Sequence, residues 1–100
     1  MSEFEHKVLD PMTDEDKAVY VAIDTGIDLL RNRIELNRLY EGDPVTDQRL
    51  RKQLDALLNI RHEAFDVHYV MHVHVADAEK FETAKKYAAC VEHNWPIPHQ

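Results

Sequence analysis

One hundred residues, 44% of them hydrophobic and only two of them glycine, suffice for one domain with one modest core and argue against a turn-rich β architecture. A net charge of −7 disfavours non-specific attraction to nucleic acid or anionic lipid, and no run of eighteen apolar residues is present to span a membrane. Cys90 stands alone, so no internal disulfide can form, and the acidic start MSEFEHKVLD lacks the apolar stretch of a signal peptide; a soluble, cytoplasmic protein is expected.

Residues 1–12 are polar and end in Asp10-Pro11, where proline disfavours helix at the preceding residue. They are predicted to form an extended arm that docks through Phe4, Val8 and Leu9. Thr13 has the character of an N-cap, and Asp14, Glu15 and Asp16 suit the positive end of a helix dipole. A helix over 14–40 follows, its stripe made by Val19, Ile23, Ile27, Leu30 and Ile34. Tyr20, Leu29, Leu36 and Leu39 add an apolar surface wider than one neighbouring helix needs. Gly26 is costly inside a helix, by about 1 kcal/mol relative to Ala, so it marks either a kink or a close approach of another helix.

Glu41-Gly42-Asp43-Pro44 is the strongest punctuation in the chain: Gly42 suits a C-terminal cap and Pro44 prevents simple continuation. Thr46 or Asp47 can cap a second helix over 47–75, with Leu50, Leu54, Leu57, Ala64, Val67, Met71 and Val75 on one face. A competing period is visible from Phe65, where Phe65, Val67, Tyr69, Met71, Val73 and Val75 alternate with Asp66, His68, Val70, His72 and His74, as in a half-buried strand. No turn residue separates this run from the helical pattern before it, and a strand's only evident partner is 4–9, which favours the helix. Asp77 caps a third helix over 78–93, and 94–100 reads as a tail. The fold class that follows is all-α, a long antiparallel helical hairpin plus a third helix and an extended N-terminal arm. The alternative is α+β, with a short strand at 65–75 pairing with 4–9.

Charge is unevenly distributed. Residues 1–30 carry eight acids against two bases, whereas residues 31–52 carry six bases against four acids. Folding the hairpin gathers Arg31, Arg33, Arg38, Arg49, Arg51 and Lys52 into a basic pole at the bend. The far pole receives Asp14, Glu15 and Asp16 together with His68, His72 and His74. Imidazoles and carboxylates at one pole can form a solvated rim, a pH-responsive cluster or a metal site holding Zn or Ni, since His68 and His72 are four apart. In a strand the three histidines also share a face.

The run Ile23-Asp24-Thr25-Gly26 resembles the active-site loop of aspartic proteases, which implies a glycine-rich β fold pairing two carboxylates. The flap and the second glycine loop of that family are missing, and the tripeptide lies in a helical pattern. Cys90 and His93 fall on adjacent turns, but no third orienting group or oxyanion donor accompanies them. No phosphate-cradling glycine loop is present. The expected function is therefore that of a small acidic protein–protein interaction module rather than an enzyme, without a cofactor. It would act as an inhibitor or adaptor on another protein, including by occupying a nucleic-acid-binding surface. Its acidic face would use Asp14, Glu15, Asp16, Asp24 and Asp28, and the broad apolar surface of the first helix predicts a homodimer. A metal- or pH-responsive module built on the histidines is the alternative, and nucleic-acid binding through the basic pole a weaker one.

Overall fold

The structure, a computed structural model, describes residues 13–68 and 72–98; the side chains of His68 and His72 lie outside the description. The expected arm at 1–12 and its pairing with 65–75 fall outside the described residues. Helix α1 spans Asp14–Leu36, α2 Pro44–Ala64 and α3 Ala78–Glu92, with a two-stranded sheet of β1 (Phe65–His68) and β2 (His72–Val75) between the last two. The all-α antiparallel hairpin with a third helix is thus the architecture of the chain.

Helix α1 starts where its cap predicts: Thr13 Oγ1 accepts from the Asp16 amide at 3.2 Å, ahead of the acidic first turn. Its α-helical part stops at Leu36, short of Tyr40, because the next turn, Asn37–Glu41, winds as a π-helix. The cause lies in Asn37, which is buried although polar. Its Nδ2 donates to the Asp43 carbonyl at 2.9 Å across the bend, and its own carbonyl accepts from the Gly42 amide, five residues on. Gly42 takes φ 63°, a left-handed value that glycine adopts without a Cβ clash.

Helix α2 begins three residues before the expected start. Asp43, rather than Thr46 or Asp47, is the cap: it accepts from the Val45 amide at 3.2 Å, and Pro44 occupies the first helical position, where no N–H is needed. The chain then departs from the expected helix over 47–75. Phe65–His68 and His72–Val75 are extended, and these strands pair with each other, Phe65 opposite Val75 and Val67 opposite Val73. The alternating period therefore overrides the helical one after Ala64. The Phe65 ring is 3% exposed and meets Tyr20 and Phe81 edge-on, at centroid distances of 5.1 and 5.7 Å. The Ala76 amide donates to the Ala64 carbonyl at 2.8 Å, so the base of the hairpin satisfies an acceptor that the helix end would otherwise leave open.

Asp77 caps α3 by accepting from the Lys80 amide at 3.1 Å. The helix runs back along α1, from Phe81 beside Phe65 to Val91 beside Gly26. The core between the three helices consists chiefly of Ile23, Ile27, Leu30, Leu57, Ile60, Ala64, Phe65, Phe81, Ala84 and Ala88. Within the described tail, Ile97 is packed. Ile97 is 4% exposed, and its amide donates to Oε1 of the buried Gln53 at 2.9 Å. No described helix is long and apolar enough to cross a membrane.

Candidate functional site

The three helices differ in length, and that difference creates the most distinctive surface. Helix α1 has 23 residues and α3 only 15, so α3 covers about 12 Å less of helix axis, at about 1.5 Å per residue. Beyond the level of Arg33, whose Nη2 donates to Asn94 Oδ1 at 2.8 Å, α1 and α2 continue to the bend without α3 beside them. Leu36, Leu39, Tyr40 and Val45 lie on this bare end and are 54 to 79% exposed.

The exposed apolar residues extend back along α1. Val21 and Leu29 are 59% and 44% exposed, and with Ala18, Thr25, Asn32, Leu36 and Leu39 they lie on one side of the helix, away from Ile23, Ile27 and Ile34. No charged residue interrupts this stripe from Ala18 to Leu39. Charges flank it: Asp28 and Glu35 along one edge, Arg33 along the other, all exposed. Trp95, itself 59% exposed and stacked on His93 at 4.6 Å, widens it beside Leu29 and Arg33.

A second concavity, a groove of about 440 Å³, lies between α2 and α3 and is lined by Lys52, Asp55, Asn59, Glu63, Lys80 and Tyr87. One of its cations, Lys80, is paired within the fold. Lys80 Nζ is 2.8 Å from Glu63, and that hydrogen bond holds the Lys80 pKa above its ordinary value. Among the described residues, no buried side-chain polar atom lacks a partner.

The residues singled out in the sequence are dispersed differently. Asp24 reaches across the hairpin to Arg61, the residue that interrupts the apolar row of α2. The Asp-Thr-Gly run is consequently mid-helix, with its carboxylate in a structural ion pair. Asp14, Glu15 and Asp16 form the first turn of α1, and Asp28 flanks the apolar stripe. In the basic group Arg38 pairs with Glu35 at 2.6 Å and Arg51 with Asp47 at 2.8 Å, Arg49 approaches the Thr46 hydroxyl, and Lys52 faces the groove. Arg31 is exposed. His74 meets a carboxylate from the facing strand, Asp66, at 3.4 Å, and His68 is paired with His72 in the strand register. Among the described residues no three metal-ligating side chains converge. Cys90 lines an apolar cleft beside Leu57 and Trp95.

The chain matches no family model, and neither a curated protein nor a solved structure shows significant similarity to it.

Proposed function

We propose that the protein is a non-catalytic interaction module that binds protein through the outer face of α1. The observation that carries this reading is the uncharged stripe from Ala18 to Leu39, on which Val21, Leu29, Leu36 and Leu39 are each close to half or more exposed. Full burial of a Leu or Val is worth about 1.5–3 kcal/mol, so covering the open half of four such side chains offers roughly 4 kcal/mol from this chain alone. Contiguous apolar surface with a charged rim is the usual mark of a protein contact. The acidic first turn, Asp14–Asp16, lies at one end of the face and suits a partner with basic groups there, in the manner of an inhibitor or adaptor.

Leu29→Glu combined with Leu36→Glu tests the reading, because neither side chain is in the core. The variant should keep the helical circular dichroism of the wild type and lose partners captured by affinity purification with crosslinking. Equal capture by the two proteins would remove the α1 face from consideration.

A further inference from the structure

The spacing along the outer face of α1 carries more than hydrophobicity. Ala18, Thr25, Asn32 and Leu39 recur every seven residues, and Ala22, Leu29 and Leu36 recur at the same interval between them. Gaps that alternate between four and three are those of a two-stranded coiled-coil seam. Ala22 is 9% exposed and packs into the intramolecular core, so the seam is open from Thr25 onward. Its edges differ in charge. Val21, Asp28 and Glu35 follow one edge, whereas Gly26, Arg33 and Tyr40 follow the other.

We propose that this face, read above as the interaction surface, is the seam of a parallel homodimer in which Asp28 of each protomer meets Arg33 of its partner. In a parallel pair, a residue on the first edge faces the partner's residue five positions further on, on the second edge. Asp28 then meets Arg33 twice by symmetry. An antiparallel pair instead runs like edges together, setting Asp28 and Glu35 against the same acids of the other copy. The charges are thus complementary to a second copy in one orientation alone. Arg33 can serve both contacts, since its guanidinium has five donors and Asn94 takes one. Leu29 and Leu36 supply the apolar contact, and Thr25 and Asn32 each face their twin across the axis. The elongated molecule, 55 × 22 × 21 Å, permits two copies to lie side by side along their length.

Sedimentation equilibrium of the wild type at about 100 μM should give twice the 11.7 kDa chain mass, and the Leu29→Glu, Leu36→Glu variant the single mass with helicity retained. In a Cys90→Ser background, Thr25→Cys and Asn32→Cys should each oxidise to a self-linked dimer, because every seam position meets its own copy only in the parallel arrangement. Asp28→Lys should weaken association roughly tenfold, and adding Arg33→Glu should restore it. A wild-type monomer at that concentration overturns the homodimer while leaving the α1 face to its own capture experiment. A dimer that survives the double glutamate substitution overturns the α1 seam. Self-linking at one cysteine position and not the other overturns the parallel orientation.

Discussion

At the scale of single residues, two polar or small side chains are required by what surrounds them. A Cβ on Gly26 would lie 2.6 Å from Val91 Cγ2 and 2.9 Å from Leu57 Cδ1, so the glycine permits the close approach of α1 to both other helices. Gly26→Ala would gain about 1 kcal/mol of helix propensity and lose about 1–3 kcal/mol to overpacking. The net expectation is a lower melting temperature, against the usual direction of a glycine-to-alanine change in a helix. Gln53 Oε1 accepts from the amide of Ile97. Gln53→Ala removes this buried side-chain acceptor, a loss of about 1–3 kcal/mol. Amide hydrogen exchange at Ile97 should accelerate accordingly, while exchange in the middle of α1 changes less.

At the scale of elements, caps decide where helices start. Asp77 is the cap of α3, and Asp77→Ala should cost about 1 kcal/mol in chemical denaturation at neutral pH. Asp43, the cap of α2, has its pKa lowered, first by the Thr46 hydroxyl and further by the Val45 and Thr46 amides and by Arg49, against an opposing desolvation. A carboxylate whose folded pKa lies below its unfolded one contributes stability that is fully present above the unfolded value, near 4, and lost as pH falls through the folded value. Asp43→Asn keeps a capping side chain but removes the titration. The variant should therefore show a shallower fall in melting temperature below about pH 4 than the wild type. The β-hairpin is the element that periodicity assigned least well. Its apolar row, Phe65, Val67, Val73 and Val75, and its polar row, Asp66, His68, His72 and His74, satisfy the strand register at each position.

At the scale of the whole molecule, the unequal helix lengths govern behaviour. A third helix of full length would bury the bare end near Leu36, Leu39 and Val45; here that end stays open. If a second copy covers it, stability becomes a function of protein concentration. Raising the concentration of the dimer about a hundredfold should raise the melting temperature by roughly 5 °C for a chain of this size. The Leu29→Glu, Leu36→Glu variant should show a flat dependence over the same range, measured by differential scanning calorimetry.

Short-range signals in the residues were enough for much of this fold. Thr13 and Asp77 announced their helices, Gly42 and Pro44 the bend, and the row of α1 its buried side, because each such signal acts within a turn or two of chain. The excess apolar surface of α1 was also legible, since Leu29, Leu36 and Leu39 fall off the buried row. The run from Phe65 to Val75 could not be settled locally, because both periods fit it equally well. Contacts with Tyr20 and Phe81, distant in the chain, decided for the strands. Tertiary structure alone also decided which apolar residues stay open, because exposure depends on where α3 ends relative to α1, a relation between segments that neither contains.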